Sequence, residues 1–353
     1  MKIFFALFLS SLSLLHAESI RLQTKIHLSQ DKEILENAAG LAILESSDII
    51  ISDTITASIK TYDSRGRFLN RFGRRGQGPN EFSVPGILDY FEGKLAIYDW
   101  ERDKVFIYSQ NKTGQWAEID RFYGSFDDLK ITDNGYLLSG PKADKADGWF
   151  RGFFKHSGNG AIELLFPFNE MYEIGRGGAI NSNGFREIAD IGIQTYSDFD
   201  AQAYYSVWAG ALVIHRRDRV TGKTSKFGQP TAAYRPPKVT PALTRAKRER
   251  KLDMYYKEVG KFSTLRKVIA SKKLVIVLFM NSDPGRDYFY SVAQIYSKDG
   301  RLLGESALTE SKCPHTRISC YFDRKDESLY FISTAISPDG EPDYSIHRYV
   351  IIP

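Results

Sequence analysis

The stretch LNRFGRRGQGPNEF, residues 69–82, combines three glycines with basic side chains, a combination that can bind phosphate. A Walker-type loop requires Lys and Ser or Thr directly after its last glycine, but Pro and Asn follow here. A dinucleotide-binding loop requires an immediate helix, whereas the next residues are typical of a Pro-interrupted strand. The glycines therefore favour a corner between structural units, with ligand contact by Arg71, Arg74 or Arg75 as the alternative.

Motifs for catalysis are missing from the sequence. The chain has six histidines, none of them in a metalloprotease helix motif, and it has no Gly-x-Ser-x-Gly nucleophile elbow. The two cysteines, Cys313 and Cys320, lie in CPHTRISC. In an oxidising compartment they predict a disulfide, which in so short a loop would be a local staple. Two unpaired thiols, or a metal pair with His315, are the alternatives.

The first residues, MKIFFALFLSSLSLLHA, predict a signal peptide over residues 1–17, cleaved near Ala17–Glu18. No Cys follows the apolar run, so we expect no lipid anchor. No later segment reaches the roughly 18 apolar residues that a membrane span needs. We therefore expect residues 18–353 to form one domain in the periplasm or outside the cell, with no transmembrane segment and no nucleic-acid partner.

Self-similarity is the main structural signal, in a chain whose 20 Tyr and 23 Phe favour strands. Tyr62, Tyr108 and Phe154 each precede a polar Gly turn and are spaced 46 residues apart. A period of this length with about four short strands indicates a propeller blade. Six runs fit the third strand of a blade. The last blade lacks a fourth strand, and SIRLQTKIHL, residues 19–28, is predicted to supply it and close the ring.

The segment FGRRGQGPNEF and the pattern DIIISD…YDSRGRFL resemble the secreted six-bladed β-propellers related to NHL-repeat and TolB-like proteins. The resemblance covers the mature chain as architecture and implies an all-β, six-bladed propeller. The fourth blade, near 185–227, fits least because it lacks an Asp at the end of its second strand. Propellers of this kind have many functions, so the resemblance by itself implies none.

Residues 228–260 interrupt the repeat between blades four and five. Thr240 suits a helix cap and Pro241 the first helical position, and Tyr255 lies on an apolar stripe at helical spacing. From Arg235 to Lys251 there are seven basic residues and one acidic residue. We expect a helical flap whose basic end lies in water or contacts an anionic surface.

Loops that follow the second and fourth strands of a blade lie on the same face of a propeller. Basic and acidic loop residues on this face predict a mouth for a polar ligand. The predicted ligand-binding residues are Arg74, Arg75, Asp99, Trp100, Asp283, Arg286 and Tyr255. The leading hypothesis is a non-catalytic binding or scaffolding protein for a protein, peptide or glycan, without a cofactor. For any single Asp, however, turn formation is the favoured interpretation, since an Asp side chain bonds its own backbone in tight turns.

The resemblance also leaves an enzymatic alternative. Related propeller lactonases and lyases hold a metal on the central axis with side chains from several blades. Asp53, Asp99 and Asn281 each end a predicted second strand and could converge there. The protein would then be a hydrolase, lactonase or lyase.

Overall fold

The computed structural model describes residues 18–111, 114–144, 148–157, 162–167, 194–208, 211–238, 240–283, 288–311, 319–337 and 340–352. The predicted signal peptide, Arg286 and Cys313 lie outside these residues. No helix in the described part is long and apolar enough to cross a membrane.

Six four-stranded antiparallel sheets make up the fold, as the repeat predicts. Blades one to three are β2 (Ala38–Ile43), β3 (Ile49–Asp53), β4 (Ser58–Tyr62) and β5 (Phe68–Phe72); β8 (Pro85–Phe91), β9 (Lys94–Asp99), β10 (Lys104–Gln110) and β11 (Trp116–Tyr123); and β12 (Asp128–Thr132), β13 (Gly135–Asp144), β14 (Gly148–Ser157) and β15 (Ile162–Pro167). The first strands of neighbouring blades pack against each other and surround the axis.

Blades four to six follow the same order from the axis outward. They are β16 (Thr195–Phe199), β17 (Ala203–Trp208), β18 (Ala211–Asp218) and β19 (Thr224–Phe227); β20 (Thr264–Ala270), β21 (Leu274–Asp283), β22 (Tyr288–Ser297) and β23 (Leu302–Ser311); and β24 (Cys320–Asp323), β25 (Ser328–Ile336) and β26 (Pro342–Ile352), with β1 (Ser19–His27). Blade four is complete, and its second strand ends at Trp208 instead of an Asp.

The N-terminal strand closes the ring. β1 pairs antiparallel with β26, from Ser19 opposite Ile352 to His27 opposite Ser345, and so forms the outer strand of blade six. The buried side chain of Ile20 packs in the core formed with blades five and six. Closure confirms the predicted role of residues 19–28, and it protects the outer edge of β26 from pairing with another chain.

The aromatic residues of the repeat occupy equivalent positions. Tyr62, Tyr108 and Phe154 lie in the third strands of blades one to three, and each follows a register shift against the fourth strand. Tyr296 takes the same place in blade five. Each ring is buried. In each case the extra residue lies in the fourth strand, opposite the buried ring of the third strand, so the four blades repeat the same bulge.

The glycine-rich stretch is a corner between blades one and two. β6 (Arg74–Arg75) and β7 (Glu81–Phe82) pair in parallel, and the Phe82 ring packs on Phe106 and Tyr108. Gly73 has φ +81°, and a Cβ there would lie 2.4 Å from the Phe82 ring. Glycine is therefore required by the backbone conformation and by the close approach of this ring.

The insertion between blades four and five forms two short helices, α1 (Pro241–Arg248) and α2 (Leu252–Val259). Thr240 caps α1, since its Oγ1 accepts a hydrogen bond from Leu243 N at 3.0 Å. Leu243 and Phe262 form a small core with Tyr255 and Val259. The insertion is thus a local two-helix unit with a core of its own, as its helical pattern predicts.

Candidate ligand site on the propeller axis

Antiparallel strands reverse direction at each step, so a propeller has two distinct faces. We call the face with the loops that lead into each first strand the entry face, and the face with the loops that follow each first strand the exit face. The corner at 73–84 and the helical insertion lie on the entry face, where the sequence predicts a ligand. The turns at 44–48, 92–93 and 324–327 lie on the exit face.

The two predicted arginines of the entry face hold its loops together. Arg74 Nε donates to Glu81 Oε1 at 2.8 Å, and its side chain is 81% exposed. Arg75 donates to the carbonyl oxygens of Ser83, at 3.1 Å, and Ile55, at 3.0 Å. These contacts join the corner to the second turn of blade one, so both arginines stabilise the loop.

Of the other predicted residues, Asp99 is tied to the same corner as Arg75, because both bond to the backbone of Ser83. Asp99 is buried and accepts hydrogen bonds from Ser83 N at 2.7 Å and Val84 N at 3.0 Å. Trp100 packs over Gly86 and lines a small cavity of about 50 Å³. Tyr255 packs within the insertion, and Asp283 ends β21.

The three residues considered for an axial metal are tied to loops. Asp53 accepts hydrogen bonds from Glu36 N at 3.0 Å and pairs with Lys60 at 2.7 Å. Burial would raise the pKa of Asp53, but these two donors hold it below its ordinary value. Asn281 bonds to Ser263 Oγ at 2.6 Å and Ala233 O at 2.9 Å. Within the described ranges, no three His, Cys, Asp or Glu side chains are grouped to hold a metal ion.

A cavity of about 390 Å³ lies on the axis and is open at the exit face. First strands of several blades and the turns after them form its walls. The side chains in it that can do chemistry are Asp89, Lys130, Asp198, Lys267, Cys320 and Arg324. We refer to this cavity as the axial cavity.

Cations and carboxylates from different blades form three ion pairs around the axis. The pairs are Lys130–Asp89 at 3.1 Å, Lys267–Asp128 at 2.7 Å, and Arg324–Asp198. All six side chains are at least largely buried, with 26% exposure of Arg324 as the highest value. Buried charges of this kind are costly unless they are paired and hydrogen-bonded.

Each of the three carboxylates also accepts a backbone N–H from the first strand of the next blade. Asp89 Oδ2 accepts from Ile131 N at 2.7 Å, and the other two bonds have the same pattern. They join Asp128 to Ser197 N, at 3.2 Å, and Asp198 to Ala270 N, at 2.8 Å. The carboxylates therefore hold the inner strands of blades two to five together, and each one also positions a cation in the axial cavity.

The electrostatics of the axial cavity keep Lys267 charged. Burial alone would lower the pKa of Lys267, but the neighbouring carboxylate of Asp128 raises it above the ordinary value of a lysine. Burial raises the pKa of the Cys320 thiol to about 11, although Lys267 and Lys130 oppose this. The thiol is thus protonated at neutral pH and is a poor nucleophile. The structure shows no disulfide at Cys320, and because Cys313 is not described, the disulfide remains a prediction.

A second cavity of about 330 Å³ adjoins the first on the exit face. Phe91, Phe322 and Arg324 line both cavities. The guanidinium of Arg324 lies 4.2 Å from the centroid of the Phe199 ring, a cation–π contact. Arg324 therefore forms part of the wall between the two cavities.

Sequence reasoning missed the axial cavity because it considered charged residues only in turns. The available signal was a charge inside a strand that must be buried. DLKIT, residues 128–132, and TYSDF, residues 195–199, are buried at every position and still contain Asp and Lys. Charged residues are almost never fully buried unless they are paired, so such strands indicate partners on other blades.

Comparisons with known proteins agree with this architecture. Residues 10–137 match the model of the DUF5128 family, described as a 6-bladed beta-propeller. No curated protein matches the chain. A solved member of the DUF4221 family from Bacteroides vulgatus has 11% identity and a TM-score of 0.63, over 96% of this chain and 99% of that chain.

A solved protein of Bacteroides fragilis that is predicted to be exported has 12% identity and a TM-score of 0.55, over 94% of this chain and 95% of that chain. At these identities the likeness shows the fold alone. This chain is a six-bladed β-propeller that is similar, over its first two blades and the start of its third, to the DUF5128 family.

Proposed function

We propose that this protein is an exported, non-catalytic binding protein and that its ligand occupies the axial cavity. The observation that carries the proposal is the set of paired charges in a cavity of about 390 Å³ that opens to solvent. Small-molecule sites have volumes of roughly 300–1,000 Å³ and contain a few positioned polar groups, so the cavity has a suitable size and chemistry. Export rests on the signal sequence at residues 1–17.

A metal-dependent hydrolase or lyase is the alternative, and the contacts of the residues considered for it favour binding instead. Asp53 and Asp99 use their oxygens to accept backbone N–H groups of the loops that enter their own blades. The accepted N–H groups occupy part of the lone-pair capacity of these carboxylates, and a metal that displaced one donor would cost about 1–3 kcal/mol for that donor.

The entry face remains a second candidate surface, for a protein or glycan partner. Its support is the exposed guanidinium of Arg74 and the basic end of the helical insertion, where Arg248 has a side chain exposed by 78%. A partner there would contact a solvated charged surface, in which single charge pairs contribute little.

A thermal-shift screen with amino acids, peptides and glycans tests for binding. A ligand at 100 times its Kd is expected to stabilise the protein by about 2.7 kcal/mol. The site is then located by the alkylation rate of Cys320 in a reduced Cys313→Ser variant at about pH 9–10, where part of the thiol is ionised, because Cys320 lines the axial cavity. A ligand in that cavity slows alkylation. A ligand that stabilises the protein without slowing the alkylation of Cys320 binds elsewhere, and that result would overturn the axial site.

A further inference from the structure

The charged groups of the axial cavity that have unused hydrogen-bonding or ion-pairing capacity differ with depth. Lys130 and Lys267 project from first strands, whereas Glu45, Glu92 and Asp323 are at or beyond the ends of such strands on the exit face. The floor thus carries two ammonium groups, each beside a paired carboxylate, and the rim carries three carboxylates near Arg324 and Lys325.

The floor cations have donors to spare. An ammonium group has three N–H donors. Lys130 Nζ has one acceptor among the described residues, Asp89 Oδ1 at 3.1 Å, and Lys267 Nζ likewise has one, Asp128 Oδ1 at 2.7 Å. Lys130 is only 6% exposed, so a group inside the cavity is best placed to complete its hydrogen bonding. An anionic oxygen among these two ammonium groups would accept the remaining N–H donors.

The rim carboxylates lack cations. Glu45, Glu92 and Asp323 form no ion pair with any described residue, whereas Asp326 beside them is paired with Arg348. The cations near the rim are Arg324, which is paired with Asp198, and Lys325. Burial raises the pKa of Asp323, and the like charge of Asp326 adds to this effect. A cation near Asp323 would offset both the cost of burying its carboxylate and the repulsion from Asp326.

We propose that the ligand is a small zwitterion, a free amino acid or a short peptide, that binds with its carboxylate at Lys130 and Lys267 and its ammonium group at the acidic rim. This inference rests on the proposed function and specifies the ligand class of the same site. A ligand with anionic groups at both ends would meet the rim carboxylates, and one with cationic groups at both ends would meet the floor ammonium groups. The spare N–H donors of the floor and the carboxylates of the rim that form no ion pair therefore favour one orientation of one class.

Calorimetry with the mature protein and three probes tests both ends of the ligand without any mutation. The probes are alanyl-alanine, N-acetyl-alanyl-alanine, which lacks the ammonium group, and alanyl-alanine amide, which lacks the carboxylate. We expect the amide to bind at least about tenfold more weakly than the free dipeptide, because charge-assisted hydrogen bonds are lost. The acetylated probe should bind about two- to fivefold more weakly, since the rim is exposed to solvent.

Variants distinguish the contribution of the rim carboxylates to binding from that of carboxylates elsewhere on the surface. Glu92→Gln and Asp323→Asn are expected to weaken alanyl-alanine about two- to fivefold each, and to leave the affinity of the acetylated probe unchanged. Glu101→Gln is the matched control, an exposed carboxylate on the entry face, and should not change either affinity. The double variant Asp89→Asn/Lys130→Met removes both charges of one ion pair at the floor. It should weaken the binding of the free and the acetylated dipeptide by the same factor.

Two results would overturn the inference. One is equal binding of the free, acetylated and amidated dipeptides, and the other is no binding of any of them. If another class of ligand then stabilises the protein and slows Cys320 alkylation, the axial site stands and only the zwitterion is wrong. If no ligand does so, the proposed function fails as well.

Discussion

Lys267 Nζ lies 2.7 Å from Asp128 Oδ1 and so connects the first strands of blades five and three, which are separated by blade four. Lys267 and Cys320 line both the axial cavity and the small cavity of the entry face. The ion pair therefore lies at the junction of the two cavities. It ties non-neighbouring blades together, and it limits the depth that a ligand can reach from the exit face.

Removal of only one partner of this pair should be strongly destabilising. Lys267→Met leaves the buried Asp128 carboxylate without its cation, and we expect a loss of about 3–5 kcal/mol in the free energy of unfolding. The double variant Asp128→Asn/Lys267→Met leaves no unpaired charge and should lose less. Urea denaturation measures both. A single variant as stable as the double variant would show that the pair is not buried as described.

Closure of the ring by β1 can be tested at one side chain. Ile20 is 5% exposed in the core with blades five and six, and Ile20→Ala should cost about 2–5 kcal/mol. Leu22 lies on the same strand and is 51% exposed, so Leu22→Ala should change stability by no more than about 0.5 kcal/mol. Equal effects of the two substitutions in urea unfolding would mean that β1 does not pack on the ring.

Stability should fall in mild acid because two histidines are held neutral. Burial lowers the pKa of His215 and of His347 to about 4. The unfolded chain, with the ordinary value of about 6.5, then binds more protons than the folded chain, so stability falls as the pH drops from 6.5 to 4. His347→Gln should reduce this slope in urea midpoints measured across that range. An unchanged slope would show that His347 is not responsible.

A substitution at Asp99 distinguishes a structural role of this residue from a role in ligand binding. Asp99→Ala leaves Ser83 N and Val84 N without their acceptor, and we expect a loss of about 2–4 kcal/mol in stability. Ligand affinity in the axial cavity should not change at a temperature where the variant is folded. Calorimetry and thermal unfolding of the same sample measure both. A loss of affinity without a loss of stability would instead support the sequence-based prediction that Asp99 contacts the ligand.

The fold could be predicted from the sequence because several blades repeat the same local structure. Tyr62 and Tyr108 share a bulge and a buried position, so their spacing is visible without the structure. The axial cavity could not be found in this way. Its side chains come from different blades, and a pair such as Lys267 and Asp128 is 139 residues apart in sequence. Only the angular positions of the blades around the axis bring the two together.

A crystal structure of the mature protein with the most stabilising ligand of the thermal-shift screen would test the binding site most directly. We expect ligand density in the axial cavity, with an anionic group within hydrogen-bond distance of Lys130 and Lys267 and a cationic group near Asp323. Density on the entry face beside Arg74, with an empty axial cavity, would contradict the proposed site and the proposed ligand class together.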